Sequence, residues 1–454
     1  MAFSVLQLLL LENLTYTYDS SFPFNLLQSY EGQPLSSYLS AVRDEVLDQN
    51  ARVNLGSYIT GADWLKLFGA IRRDSALMEM QIATTHRDKA EGGGDGFSVI
   101  FLHEPSHQAI IAFKGTQGAD EWVDNFMGAT TTSQPDGVST PQQCNALRWY
   151  QEKYLALGLS AYEITVIGHS KGGNKAKYLT LMDDTIDHCH SFDGQGFSDQ
   201  FVEHYYNRII ERRPLINNHN VDRDFVNLLL NDFGNIQFYK GFQIGNGGGG
   251  FLENHCPNSF LLFLNGAQPL MVPAREGRAA GMERFDRYLN SMLRFMPEGQ
   301  QACLSQMLGE VVIGARNGAS PDYFIDLMSS EEYRHSAAYI LAFTIEYLQH
   351  TPQLKQHLHY LLGYYHLQQL MKLLEGMVSL LQSSVFDPML EGALALSSHL
   401  PDFARNQLIA MLKSRTGLEL SNEQLSEILG ILQLIPEIEK RISHIPDGRD
   451  KPWD

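Results

Sequence analysis

Short apolar runs alternate with helical patterns through the middle of the chain. Residues 97–102 and 108–113 are two apolar stretches around a short link, which predicts a β-hairpin. Residues 163–167 and 188–192 predict two further strands, and residues 172–182 between them have a helical pattern. Strand, helix and strand joined by short links are typical of a parallel α/β sheet.

Helical patterns also occur before, between and after these strands. Residues 35–71 carry an apolar stripe at helical spacing, and residues 142–157 predict another helix. From about residue 281 onward, amphipathic helical patterns follow one another with breaks at prolines. We therefore expect an α/β domain over residues 1–275 and an all-α region over residues 276–454.

Composition narrows the functional classes. The 454 residues, 44% of them hydrophobic, are enough for large buried cores, which excludes a mainly disordered chain. The balance of 34 Lys and Arg against 52 Asp and Glu gives a net charge of −18, which argues against a nucleic-acid partner. The four cysteines lie far apart with no C-x-x-C pair, so a zinc ribbon is not expected and a reducing compartment fits.

The sequence does not predict a membrane-spanning segment or a cleaved signal peptide. Residues 1–11 are apolar but short, and they lack a basic start and a small-residue cleavage site, so we expect a buried element there. No run of about 18 apolar residues predicts a transmembrane helix. We expect a cytoplasmic protein, or one that is exported without a cleaved signal peptide.

The chemistry is concentrated at residues 168–172, which read GHSKG and therefore match G-x-S-x-G. The predicted strand ends just before this segment and the predicted helix begins within it. A serine in this position sits on a sharp strand-to-helix turn, and the flanking glycines let the chain pass without clashes. This context predicts that Ser170 is a nucleophile.

Two groups are placed to stabilise an oxyanion at that serine. The backbone N–H of Lys171 follows Ser170 at the start of the helix, where helix N-termini favour negative charge. The second donor of a serine hydrolase comes from the loop after an earlier strand. Thr116, after Gly115 at the end of the second predicted strand, is the candidate.

The base is expected to be a histidine that follows the serine in chain order. His255 lies after a probable strand and a glycine-rich segment, a loop position from which it could approach Ser170. His188 and His190 flank a strand and come too early. His169, inside the motif, is expected to shape the turn rather than act as base.

Two strand ends offer the acid that would orient the base. Asp193 follows the strand that ends at Phe192, and Asp222 and Asp224 follow a possible strand near residues 215–221. Either strand end could supply a carboxylate to hold the imidazole tautomer.

Together these segments resemble α/β-hydrolases of the class 3 lipase type, and more narrowly a bacterial lipase-like family that carries GHSKGGN. The resemblance covers about residues 12–330. It implies Ser170 as nucleophile and Thr116 as oxyanion donor. Phe-Asp-Gly resembles the acid-bearing turn of pancreatic-type lipases and favours Asp193, whereas the D-x-V turn of class 3 lipases would match Asp224. The residues that carry the resemblance are 168–174, 112–116 with Trp122 and Asp124, 192–197, 13–15 and 23–25.

The sequence therefore predicts a serine hydrolase of lipid-like or other acyl esters, with Ser170, His255 and Asp193 (alternatively Asp224) as its triad and no metal or cofactor. Lys114 stands for the usual Arg and Gln195 for a common Pro, but neither change removes a catalytic group. The alternative is a hydrolase-fold scaffold whose helical C-terminal region binds a protein partner or a membrane surface.

Overall fold

The chain divides into two compact units, Met1–Asp286 and Arg287–Asp454. They are described from a computed structural model. The structure describes residues 2–24, 27–57, 59–88, 96–115, 125, 128, 134–242, 253–264, 268–294, 300–316, 319–350 and 410.

A mixed eight-stranded sheet organises the first unit, with its strands arranged in chain order. Strands β1 to β4 pair antiparallel, and β4 to β8 pair parallel. The strands are β1 Gln33–Pro34, β2 Gln81–Asp88, β3 Gly96–His103, β4 Gln108–Phe113, β5 Glu163–His169, β6 His188–Phe192, β7 Ile216–Val221 and β8 Asn235–Tyr239. A separate antiparallel pair joins β9 Leu261–Leu262 and β10 Leu270–Met271.

Nine helices of the first unit, as far as it is described, precede, connect or flank these strands. Because the parallel strands follow one another in order, right-handed crossovers place their connecting helices on one face of the sheet. The nine α-helices, of which α6 to α9 connect the parallel strands, are α1 Val5–Leu14, α2 Leu35–Ala41, α3 Asp44–Gln49, α4 Gly61–Arg72, α5 Ser75–Met78, α6 Pro141–Ala156, α7 Lys171–Met182, α8 Asp199–His204 and α9 Tyr206–Arg212.

The main core lies on the face that α1 and α4 cover. Strand side chains alternate between faces, and Val99, Ala112 and Ile167, in register across β3, β4 and β5, belong to the same buried cluster as α1. Ile111 and Val166, one position away, face the other side, where α7 contacts β4, β5 and β6. The sheet is therefore covered by helices on both faces, which is the arrangement of an α/β-hydrolase fold.

Several sequence predictions are confirmed. The hairpin is β3–β4, and the strand–helix–strand pattern is β5–α7–β6. The apolar N-terminus forms α1, whose second half is fully buried. The helical stretch expected over residues 35–71 differs, because Val42 is extended and the chain folds as three helices, α2 to α4.

The described residues from 280 onward are mainly helical. The helices are α10 Ala280–Arg294, α11 Gln300–Arg316, α12 Pro321–Ser329 and α13 Arg334–His350. The division between units falls after Asp286, inside α10, whereas the sequence favours residue 275. Most of the region expected to bind a partner or membrane, residues 351–409 and 411–454, lies outside the described residues, so that role stays a prediction. None of the described helices has the length and apolar character needed to cross a membrane.

Candidate active site

Ser170 forms the whole turn between strand β5, which ends at His169, and helix α7, which begins at Lys171. Its backbone has φ 59° and ψ −124°, a conformation that L-residues rarely adopt. The Ser170 N–H donates to the carbonyl oxygen of Phe192 at 2.9 Å, which ties the turn to β6. This strained strand–turn–helix geometry is the one expected of a nucleophile elbow.

The flanking glycines are required by close packing at this turn. A Cβ on Gly168 would lie 2.2 Å from the backbone of Gly172. A Cβ on Gly172 would lie 1.8 Å from the carbonyl oxygen of Phe113, at the end of β4. The G-x-S-x-G spacing therefore allows α7 to start directly against the neighbouring strand.

His255 lies at the end of a short 3₁₀ helix, Glu253–His255, which follows strand β8 in the chain. Its Nε2 is 2.8 Å from Ser170 Oγ. Its Nδ1 is 2.7 Å from Asp224 Oδ2. Since a carboxylate only accepts, this contact assigns the ring hydrogen to Nδ1 and leaves Nε2 able to accept from the serine hydroxyl.

Asp224 is oriented by the turn that follows β7. Its side chain is fully buried. The backbone N–H groups of Val226 and Asn227 both donate to Oδ1 at 2.8 Å. These bonds leave Oδ2 directed at His255, so the serine, the imidazole and this carboxylate form a continuous hydrogen-bonded row.

Asp193, the acid that the sequence favoured, makes different contacts. Its Oδ1 accepts from the Val221 N–H at 2.7 Å and from Asn227 Nδ2 at 2.9 Å. Burial, with the nearby charge of Asp224, raises the pKa of Asp193 well above its usual value. The geometry thus favours Asp224 as the partner of His255, because the turn after β7 directs its carboxylate toward the ring while Asp193 bonds to that turn.

His169 shapes the turn, as its position in the motif predicts. Its Nδ1 is 2.6 Å from the hydroxyl of Tyr16, and its backbone N–H donates to Glu12 Oε1 at 3.2 Å. Burial, with the nearby charge of His255, lowers the pKa of His169 well below its usual value. A neutral imidazole held by α1 and the turn after it suits a structural role.

Of the two oxyanion candidates, Lys171 lies within the described residues and Thr116 does not. Lys171 is the first residue of α7, and the first N–H groups of a helix are not used by the helix itself. Its backbone therefore follows Ser170 at the positive end of the helix. Thr116 lies outside the described residues, as do Trp122 and Asp124.

A cluster near the serine has ligand types that a metal could use. One ligand atom each from His169, Asp193 and His255 lies within 4.8 Å of the others. Both ring nitrogens of His255, however, already contact Ser170 and Asp224. A metal held by all three residues would have to break one of these contacts, so the donor set fits the hydrogen-bonded row better than a metal centre.

The sequence does not predict three residues of this site, Asn227, Tyr16 and Glu12. Asn227 bonds both acidic turns, since its N–H contacts Asp224 and its side chain contacts Asp193. Tyr16 and Glu12 hold His169. The only sequence signal near them is the family-like segment at residues 13–15, which marks the region but gives no indication that it reaches the serine.

One family model matches part of this chain. The family model described as Mbeg1-like matches residues 80–219, which include Ser170 and Asp193 but neither Asp224 nor His255. No curated protein sequence matches the chain.

Three solved structures with local similarity are lipases. Lip2 lipase from Yarrowia lipolytica is 14% identical, with a TM-score of 0.26, over 36% of this chain and 66% of that one. The Rhizomucor miehei lipase–propeptide complex is 12% identical, with a TM-score of 0.31, over 53% and 70%. Lipase II from Rhizopus niveus is 12% identical, with a TM-score of 0.24, over 33% and 60%. This chain thus spans less than two thirds of the Yarrowia and Rhizopus enzymes, and similarity at this level carries nothing about activity.

Proposed function

We propose that this protein is a serine ester hydrolase in which Ser170 is the nucleophile, His255 the base and Asp224 the acid. The observation that carries the proposal is the row of contacts from Ser170 Oγ to His255 Nε2 at 2.8 Å and from His255 Nδ1 to Asp224 Oδ2 at 2.7 Å. It occurs at a strained serine directly before a helix. These are the geometric roles by which a triad is recognised on any fold.

The proposed reaction has two halves. His255 Nε2 takes the hydroxyl proton as Ser170 Oγ attacks the acyl carbonyl, and Asp224 stabilises the imidazolium that forms. The oxyanion is stabilised by the backbone N–H of Lys171 and by Thr116. His255 then protonates the leaving alcohol, which leaves an acyl group on Ser170. A water molecule, deprotonated by His255, hydrolyses this acyl-enzyme by the same steps.

The substrate class is an acyl ester, lipid-like or otherwise. It rests on the resemblance of residues 112–116 and 168–174 to class 3 lipases rather than on a measured property of the site. No step of this reaction uses a metal or a redox group, since the residues themselves supply the nucleophile, the base and the charge stabilisation.

A fluorophosphonate probe tests the proposal, because it labels only a serine whose hydroxyl is activated. We expect labelling of the wild type and loss of labelling in Ser170→Ala. Ser191→Ala is the matched control, since it removes a buried hydroxyl from the neighbouring strand β6. Hydrolysis of a p-nitrophenyl ester should follow the same pattern.

Two results would contradict the proposal. One is a folded wild type, checked by circular dichroism, that neither reacts with the probe nor hydrolyses esters with or without detergent micelles. The other is a Ser170→Ala variant that keeps the activity of the wild type.

A further inference from the structure

The hydroxyl of Tyr16 connects two segments that flank Ser170. It lies 2.6 Å from Nδ1 of His169, the residue directly before the serine. It also accepts a hydrogen bond at 3.2 Å from the backbone N–H of Gly115, the residue directly before the oxyanion candidate Thr116. A single oxygen atom therefore joins the end of β5 to the loop that follows β4.

The direction of these two bonds is set by the chemistry of the groups. The backbone N–H of Gly115 can only donate, so it uses a lone pair of the Tyr16 oxygen. The neutral ring of His169 then accepts the Tyr16 hydrogen at Nδ1. One donated and one accepted bond use the phenol in both capacities, and a phenylalanine could replace neither.

Tyr16 is itself held firmly. It is 2% exposed and lies in the 3₁₀ turn Thr15–Tyr18 that follows α1. Its ring packs edge-on against His169, with centroids 5.7 Å apart, and Lys114 Nζ lies 5.1 Å from its ring centre. The preceding helix also contributes Glu12, which accepts the N–H of His169. The N-terminal segment thus supports the serine turn through two bonds.

Gly115 is packed into this contact. A Cβ added to Gly115 would lie 2.5 Å from the Tyr16 oxygen, 2.8 Å from the carbonyl oxygen of His169 and 2.9 Å from Ser170 Cβ. Gly115 therefore passes directly beside the serine, where the Tyr16 hydroxyl accepts from its backbone N–H and Lys114 Nζ donates to its carbonyl oxygen at 3.2 Å. His169 also lies against the base, with its ring centre 4.7 Å from that of His255.

We propose that Tyr16 is a positioning residue that holds Gly115, the residue directly before the oxyanion candidate Thr116, against the Ser170 turn. This inference rests on the proposed hydrolase function and deepens it. An oxyanion donor is effective only where it is fixed in advance within about 0.5 Å of its working position. Loss of one donor costs about 10²–10³ in kcat, so a donor that is displaced rather than removed should cost about 10–100-fold.

The test compares Tyr16→Phe with Tyr38→Phe. Both remove one hydroxyl from a tyrosine in the same buried cluster, but Tyr38 contacts neither His169 nor Gly115. We expect Tyr16→Phe to lower kcat for a p-nitrophenyl ester, and the rate of fluorophosphonate labelling, by about 10–100-fold with KM little changed. Tyr38→Phe should keep both rates.

A second pair of variants addresses the His169 end of the contact. His169→Asn keeps an acceptor close to the position of Nδ1, whereas His169→Leu removes it. The asparagine variant should therefore retain more kcat than the leucine variant, and combining Tyr16→Phe with His169→Leu should cost little more than the larger single effect.

The outcomes distinguish failure of the proposed function from failure of the role of Tyr16. A wild type that neither labels nor hydrolyses overturns the proposed function and this inference with it. If the wild type labels at Ser170 but Tyr16→Phe keeps the wild-type kcat, only the role of Tyr16 is overturned. The same holds if Tyr16→Phe changes KM alone, or if Tyr38→Phe loses as much kcat as Tyr16→Phe.

Discussion

The choice between two buried carboxylates is the sharpest prediction of the structure. Asp224 contacts His255 Nδ1 at 2.7 Å, whereas Asp193 accepts from Val221 and Asn227. We expect Asp224→Asn to abolish most ester hydrolysis and Asp193→Asn to leave it within about tenfold of the wild type, a change of about 1.4 kcal/mol. Both variants replace one carboxylate oxygen by an amide NH₂ group, so each is the control of the other.

The expected loss of rate in Asp224→Asn follows from the distance between Asp224 and His255. With charge centres about 4 Å apart and an effective dielectric constant of about 20, a carboxylate stabilises an imidazolium by about 4 kcal/mol, or about three decades in rate. An asparagine also offers an N–H to His255 and favours the wrong ring tautomer, so the full loss should approach about 10⁴ in kcat. Asp193 is different, because it accepts from Val221 and Asn227, and burial with the charge of Asp224 raises its pKa. An asparagine at position 193 keeps an oxygen that can accept these two hydrogen bonds, so we expect a much smaller loss.

The assay is kcat for a p-nitrophenyl ester, with the labelling rate of a fluorophosphonate as a second readout of nucleophile activation. Circular dichroism and Tm establish that each variant folds. The assignment of Asp224 is refuted if folded Asp193→Asn loses about 10³ or more in kcat while Asp224→Asn stays near the wild type. Equal, severe losses in both folded variants would also refute it, since they would mean that the two acids act as a unit.

Two further predictions concern packing and pH. Gly172→Ala should destabilise the protein by about 1–3 kcal/mol, because its Cβ would lie 1.8 Å from the Phe113 carbonyl oxygen. Gly69→Ala is the control: it lies in helix α4, its Cβ would meet only the end of the Arg73 side chain, and it should raise Tm. Equal Tm values for the two variants would contradict this prediction. Burial raises the pKa of Glu12 well above 4.5, so the folded protein binds a proton that the unfolded chain releases, and stability falls as the pH rises above about 4.5. Glu12→Gln should therefore have a higher Tm than the wild type at pH 7, and this difference should disappear near pH 4. A difference in Tm that does not vary with pH would contradict this prediction.

Local sequence determined the strand–turn–helix around Ser170. Alternation and β-branched residues predict β5, the helical pattern predicts α7, and glycines at 168 and 172 are what a sharp turn between them requires. The order of Ser170 and His255 along the chain, together with the loop position of His255, also selected the histidine that contacts the serine. These features depend on neighbouring residues, whose steric preferences act within a few positions of the chain.

Tertiary structure alone decided which carboxylate meets His255. Asp193 and Asp224 both follow parallel strands whose ends lie side by side, so the sequence places both near the site. Only the folded turn after β7, with its N–H groups bonded to one oxygen of Asp224, directs the other oxygen to the ring. Tyr16 and His169 are 153 positions apart, and their contact exists because α1 packs on β5. Such contacts depend on how buried surfaces fit together, which no local pattern in the chain encodes.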